Sequence, residues 1–294
     1  MEPPSAVNRR QAASIIIRAK NEQAFLGETL SRVYAQTVQD IEVILVDSGS
    51  TDRTLETARG FPVDIIEIPP REFTYGRALN LGSARARGNA LVNLSAHALP
   101  LTDEWLARLL GHFEDPHVAG VWGSQRASVD GPPSTRVYSQ DLAMYLRDVC
   151  DGFSNANGAV RRALWQQRPW REDLPGSEDK EWAYWALSSG HRLVFDGRAE
   201  VFHHHDESLL RVWRRAHREH AGYAAFLDLP PFSATDVLRH TYWKGRGEMR
   251  DSGGRLRGVG GTARTLPRIL AEQIGRYTGL RAGKQMPRLA VTGR

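Results

Sequence analysis

Ile41-Glu42-Val43-Ile44-Leu45-Val46-Asp47-Ser48-Gly49-Ser50-Thr51-Asp52 is the stretch on which the reading of the fold turns. A run of β-branched and aliphatic residues leads into a carboxylate, and a glycine-containing turn follows at once. Such a run is what a strand buried on both faces requires, and Ser50 or Thr51 can cap the next helix. Asp47, at the strand's carboxyl end, can accept from a base N–H or a ribose hydroxyl. Asp47 and Asp52 can equally serve only to organise the turn and the cap. Thirty residues earlier, Ser14-Ile15-Ile16-Ile17-Arg18-Ala19-Lys20-Asn21-Glu22 has the same layout of apolar run and polar exit.

Outward from these two runs, Asp64–Ile68, Ala90–Leu94 and Val118–Trp122 read as further buried strands. Helical stretches alternate with them. Leu26, Leu30, Val33 and Tyr34 share one helix face, as do Trp105, Leu106, Leu109, Leu110 and Phe113, and Thr51–Arg59 and Gly76–Arg87 are two more candidates. This alternation predicts an α/β fold with a Rossmann-like, mostly parallel central sheet flanked by helices. In such sheets ligands lie beyond the carboxyl ends of the strands, so Arg18–Glu22, Asp47–Asp52, Phe73–Arg77 and Ser95–Pro100 are the segments to inspect.

The pattern loosens after Asp130, where Gly131-Pro132-Pro133 marks a loop. A helix over Glu178–Ser188, strands over Leu193–Phe195 and Ala199–His203, and a helix over Leu209–Phe226 follow, with Pro230-Pro231 closing the last. The expected organisation is an extended N-terminus (1–12), a core of 13–226 with halves 13–125 and 126–226, and a helical C-terminal extension (227–294).

Composition narrows the function classes. The 294 residues carry 39 Lys/Arg and 34 Asp/Glu, a net +5. Of these, 17 Lys/Arg and 7 Asp/Glu fall from Glu207 onward, so the excess sits in the tail. A nearly neutral core argues against nucleic acid as the partner. Cys150 is the single cysteine, which excludes an internal disulfide framework and a multi-cysteine metal site. No run approaches the ~18 uncharged apolar residues of a spanning helix, and Met1–Gln11 lacks the apolar stretch of a secretory signal. A cytoplasmic protein is expected. The tail arginines form either a solvated face or a contact with an anionic membrane surface, and the tail is also where a homodimer would form.

Five segments carry a family resemblance. They are Asn21-Glu22 after the first strand, Asp47-Ser48-Gly49-Ser50-Thr51-Asp52, Phe73-Thr74-Tyr75-Gly76-Arg77-Ala78-Leu79-Asn80-Leu81-Gly82, Phe153-Ser154-Asn155-Ala156-Asn157-Gly158-Ala159 with Arg161-Arg162, and Gly176-Ser177-Glu178-Asp179-Lys180-Glu181-Trp182. In this order they resemble the inverting glycosyltransferases of family 2, which have the GT-A fold. Val201-Phe202-His203-His204-His205-Asp206 is similar to the strand end of a rhamnosyltransferase-like branch. The resemblance covers roughly Ser14 to Tyr223.

What it implies is a nucleotide-sugar donor (UDP-, GDP- or dTDP-linked), a small-molecule or glycan acceptor, and transfer with inversion. Asp179 would be the general base, with Glu178 beside it. Arg18, Ala19, Asn21, Glu22, Asp47, Ser48, Arg77, Asn80, Ser95, Ala96, His97, Asn155 and Asn157 would bind the nucleotide and donor sugar. The chemistry has need of such groups, because the transition state is oxocarbenium-like, the acceptor hydroxyl needs a base, and the departing diphosphate needs positive charge or a metal. Ser177 is also a reasonable N-cap, and acids in a first helical turn favour the helix dipole, so a structural role for Glu178 and Asp179 is compatible with a catalytic one. Asn155 and Asn157 share a face if extended; otherwise they are turn residues. Trp165, Trp170, Trp182 and Trp185 offer an acceptor platform, although Trp182 and Trp185 have core spacing.

One departure stands out. Asn93-Leu94-Ser95-Ala96-His97-Ala98-Leu99-Pro100 has His97 where the family carries a metal-binding Asp. A divalent cation, Mn²⁺ or Mg²⁺, is expected. Its ligands would be His97 with His203 or His205, which point to the same side of a strand, or else other groups. Alternatively, His97 bonds the diphosphate directly and Arg77 replaces the metal. A nucleotidyltransferase lacks support because no glycine-rich, lysine-bearing signature follows the first strand. A carbohydrate- or anionic-surface-binding protein would leave Asp47, His97 and Asp179 without use.

Overall fold

A computed structural model describes residues 12–128, 132–150, 152–203, 207–248 and 259–286. The strands are β1 (Ala13–Ala19), β2 (Ile41–Asp47), β3 (Val63–Glu67), β4 (Ala90–Ser95), β5 (Leu99–Pro100), β6 (Val118–Arg126), β7 (Val137–Gln140), β8 (Asn157–Arg161) and β9 (Arg192–Phe202). The helices are α1 (Leu26–Tyr34), α2 (Thr54–Arg59), α3 (Tyr75–Arg85), α4 (Trp105–Gly111), α5 (Leu142–Arg147), α6 (Arg162–Gln167), α7 (Glu178–Ser188), α8 (Leu209–Phe226), α9 (Ala234–Glu248) and α10 (Val259–Gly283).

Ile15, Ile16 and Ile17 are all completely buried, which a strand achieves only when both faces of its sheet are covered. Ile15 and Ile17 pack with Leu26, Leu30 and Val33 of α1 and with Trp105, Leu106 and Leu109 of α4. Ile16 points the other way, into a cluster with Leu79 of α3, Trp122, Phe153 and Trp182. Each fully buried side chain of this size contributes about 1.5–3 kcal/mol by leaving water. The sheet order is β3-β2-β1-β4-β8-β6-β9-β5, with β7 also paired to β9. β3, β2, β1 and β4 run parallel, as the alternation predicts. β8 enters antiparallel between β4 and β6, while β6 and β9 are parallel.

β9 is one continuous strand where the sequence suggests two, and it takes β5 and β7 as antiparallel partners. Gly123 of β6 permits the close approach of β9, since a Cβ there would come closer than 3.0 Å to the Ala199 carbonyl. The four tryptophans weighed as an acceptor platform include three that are core, because Trp165, Trp170 and Trp182 are buried.

The described residues form two compact units, 12–172 with 182–203, and Asp173–Glu181 with 207–248 and 259–286. The first four residues of α7 therefore belong to the second unit and the rest to the first. In the second unit α10 lies in backbone contact with α8. Cβ atoms on Gly275, Gly279 and Gly283 would come closer than 3.0 Å to the carbonyl oxygens of Trp213, His217 and Ala221. The expected boundary after residue 226 cuts between α8 and α9, whereas this packing groups α8 with α9 and α10. A stripe of glycines every fourth residue holds α8 and α10 together.

Candidate active site at the strand ends

The turns after β1 and β2 are stitched to each other. Asp47, buried at the end of β2, accepts from the N–H groups of Gly49 at 2.9 Å and Ser50 at 2.8 Å, and from the Ser50 hydroxyl. Ser50 Oγ in turn accepts from the Asn21 N–H at 2.9 Å. Asn21 has a left-handed backbone (φ 57°), a conformation that Asn tolerates better than most residues, and its Oδ1 accepts from the Thr51 N–H at 2.8 Å. One turn further, the Glu22 N–H donates to Thr54 Oγ1 at 2.7 Å and the Gln23 N–H to Asp52 at 3.2 Å. The Ser48 N–H donates to the Ala19 carbonyl at 3.1 Å. Asp47 thus has the turn-organising role, and Asp52 caps Thr54 from its own turn at 3.0 Å.

The third strand end joins them. The Thr29 hydroxyl of α1 donates to the Ala96 carbonyl at 2.8 Å and so fixes the Ser95-Ala96-His97 turn after β4. His97 Nδ1 lies 3.0 Å from Glu22 Oε1, and its ring stacks on that of His203, centroids 4.8 Å apart and planes 20° apart. His203 Nδ1 meets Gln125 Oε1 at 2.8 Å, and Gln125 Nε2 donates to Ser154 Oγ at 3.1 Å. A polar chain Glu22–His97–His203–Gln125–Ser154 therefore crosses the ends of β1, β4, β9 and β6. Gln125 and Ser154 were not singled out from the sequence, although Gln125 ends a strand and the strand-end rule could have found it. Beside this chain, the Arg18 guanidinium sits 5.0 Å over the Tyr75 ring at the start of α3.

Several expected donor-binding residues are engaged elsewhere. Asn80 is a staple for the segment after α6. Its Nδ2 donates to the Trp170 carbonyl at 2.8 Å and to Glu172 at 2.9 Å, and its Oδ1 accepts from Trp165 Nε1 and the Trp170 N–H, both at 3.0 Å. Asn157 is completely buried, accepting from Trp105 Nε1 at 2.8 Å and donating to the Ser124 and Ala199 carbonyls at 3.1 and 2.9 Å. With both N–H groups and one Oδ1 lone pair committed and no exposed surface, this amide serves structure. Asn155 does not point with it; it is buried and accepts from Asn93 Nδ2 at 2.8 Å. Arg77 faces Glu72 at 3.2 Å and Glu172 at 3.7 Å, two carboxylates with which a phosphate would compete.

Glu178 and Asp179 lie in the second unit. Ser177 before them is left-handed (φ 63°); its carbonyl accepts from the Glu181 N–H at 3.0 Å and its hydroxyl donates to the Glu219 carbonyl of α8 at 3.0 Å. Asp179 Oδ1 accepts from the Lys180 N–H at 2.8 Å. Burial pushes the Glu219 carboxyl up; Arg215 and Arg218 oppose that and the nearby Asp179 charge adds to it. His205 lies outside the described residues. Among the described residues no three His, Cys, Asp or Glu side chains converge as a ligand set, and no helix is long and apolar enough to cross a membrane.

Residues 14–183, which include these three strand ends and the Glu178-Asp179 pair, match the family described as Glycosyl transferase family 2. The chain belongs to that family. Among curated relatives it is 24% identical to the O-antigen chain rhamnosyltransferase RfbN of Salmonella typhimurium over 208 residues, 66% of each chain. It is 28% identical to the O-antigen chain rhamnosyltransferase WbaN of Salmonella anatum, over 61% of this chain and 62% of that one. The aligned stretches thus span just under two thirds of these relatives' length. The fold is that of the GT-A glycosyltransferases. Mannosyltransferase PcManGT from Pyrobaculum calidifontis, solved with GDP-Man and Mn²⁺, superposes with a TM-score of 0.60 at 21% identity, over 76% of this chain and 67% of that one. S. aureus TarS 1-349 with UDP-GlcNAc gives 0.56 at 15% identity, over 80% and 72%. Neither the nucleotidyltransferase nor the carbohydrate-binding reading is favoured by these likenesses.

Proposed function

We propose that this family 2 enzyme moves a sugar from a nucleoside diphosphate to an acceptor hydroxyl with inversion, and that the stitched strand ends of β1, β2 and β4 seat the nucleotide. The observation that carries the reading is the Asn21–Ser50–Asp47 lock with its Glu22–His97 neighbour. Those hydrogen bonds fix the rim before any ligand arrives, and a seat already ordered avoids the entropy of ordering on binding. A deoxyhexose such as rhamnose is the proposed sugar, by likeness to the two O-antigen enzymes, and a glycan intermediate the proposed acceptor.

Glu22 and His97, whose carboxylate oxygen and ring nitrogen lie 3.0 Å apart, would hold a divalent cation such as Mn²⁺. Such an ion, when bound, would neutralise charge on the departing diphosphate. The chain's own residues do the rest. Arg18, held over Tyr75, offers charge at the same rim. Asp179 takes the proton of the acceptor hydroxyl as that oxygen attacks the anomeric carbon, and the bond to the diphosphate breaks on the opposite face.

Asp179→Asn tests the base. Loss of a general base removes about 10²–10⁴ in rate. The variant should lose kcat by that factor and keep its affinity for the nucleoside diphosphate, whereas unchanged turnover removes Asp179 from the role.

A further inference from the structure

The outward face of α9 has no part in the transfer chemistry, and its composition is unusual. Leu238, Tyr242 and Trp243 are 68%, 56% and 61% exposed. Large apolar side chains so close together and so open to water mark a contact surface. At 3.6 residues per turn, positions 238, 239, 242, 243 and 246 fall within one arc of about 140°. That arc therefore also holds Arg239 and Arg246. The Arg246 guanidinium lies 5.7 Å over the Trp243 ring and 3.2 Å from the Tyr242 hydroxyl, so the cations and the aromatic rings form one patch. The opposite side of the helix is the packed one. Val237 there is buried, and at the edge of the arc, about 20° from Leu238, a Cβ on Gly245 would come closer than 3.0 Å to Leu266 of α10.

We infer that this face of α9 seats on an anionic lipid bilayer, with Leu238, Tyr242 and Trp243 entering the headgroup boundary and Arg239 and Arg246 meeting lipid phosphates. Trp and Tyr favour that boundary because each has an apolar body and a polar edge. Charge selects the occupant. The five residues include two arginines and no carboxylate; Arg239 pairs with Asp236 at 2.6 Å, a contact for which a lipid phosphate would compete, and Arg246 lies against the aromatic rings. A second copy of the chain is a poorer occupant, since a twofold contact through this face would set arginines against arginines. From Glu207 onward the chain has 17 Lys/Arg to 7 Asp/Glu, so the field around the patch has the same sign.

Co-sedimentation of the full chain with vesicles tests the assignment. It should pellet with phosphatidylcholine–phosphatidylglycerol vesicles, stay in solution with phosphatidylcholine alone, and release as NaCl rises from about 0.1 M to about 1 M. Arg239→Gln with Arg246→Gln should weaken binding about 25-fold, about fivefold for each arginine. Leu238→Ser with Tyr242→Ser and Trp243→Ser should weaken it at least as much. Both variants change exposed residues and should keep the wild-type melting temperature. Failure of the wild type to pellet with the anionic vesicles, or unchanged pelleting of either variant, overturns the inference. So does a dimer in sedimentation velocity that the serine variant dissolves.

Discussion

Asp47→Ala separates what Asp47 does for the turn from what it does for a ligand. The carboxylate accepts from two backbone N–H groups and one hydroxyl, all within residues 49 and 50, and is itself buried. At about 1 kcal/mol net for each hydrogen bond, the substitution costs about 3 kcal/mol. The loss also reaches the neighbouring turn, because Ser50 Oγ is the acceptor of the Asn21 N–H. At about 2–4 °C per kcal/mol for a domain of this size, the melting temperature should fall by about 6–12 °C. Asp47→Asn keeps one acceptor oxygen and should fall between variant and wild type. Circular dichroism melts give the stability, and calorimetric titration with nucleoside diphosphates gives the affinity, which should weaken in step with the melting temperature. An Asp47→Ala protein that melts with the wild type shows that the turn does not depend on this carboxylate. Weakened nucleotide binding without any loss of stability would make Asp47 a ligand contact alone.

Two further outcomes follow from the second unit. Burial pushes the His220 imidazole down to about 4, with Arg276 adding in the same sense. Between pH 6.5 and about 4 the unfolded chain then holds a proton that the folded one does not, so stability drops as pH falls through that window. The ceiling is about 3 kcal/mol, and solvent screening of this half-buried ring brings it to about 2 kcal/mol. His220→Gln should flatten the slope in urea titrations at stepped pH, and an unchanged slope refutes the assignment. Raised Glu219 acts in the opposite sense, and it is retained in both proteins. Gly279→Ala should cost about 1–3 kcal/mol by driving a methyl into the His217 carbonyl. Gly247→Ala, which meets nothing within 4 Å, should gain about 0.5–1 kcal/mol. Equal stability of the two alanine variants would contradict the close α8–α10 packing.

The parallel half of the sheet was legible because burial on both faces forces continuous apolar runs, and Ile15, Ile16 and Ile17 in succession leave no alternation to misread. β5 and β7 were not legible because two and four residues carry too little periodicity, and β8 because its Asn157-Gly158-Ala159 start holds no β-branched run. The polar residues after β1, β2 and β4 were found by the strand-end rule. That Asn80 and Asn157 would be spent on structure was not legible, since the partners of Asn80 lie 85–92 residues away and those of Asn157 lie 33–52 residues away. The same distance hid the stacking of His97 on His203, which depends on β4 and β9 ending side by side. The glycine stripe of α10 was not read from the sequence, because only the facing carbonyls of α8 give it meaning.

Calorimetric titration of the full chain with UDP, GDP and dTDP, in Mn²⁺ and again in EDTA, tests the nucleotide seat most directly. One of the three should bind with a Kd of about 1 μM or tighter, about −8 kcal/mol, and should weaken when the cation is chelated. Failure of all three to bind more tightly than about 1 mM in either buffer would contradict a nucleotide seat at these strand ends.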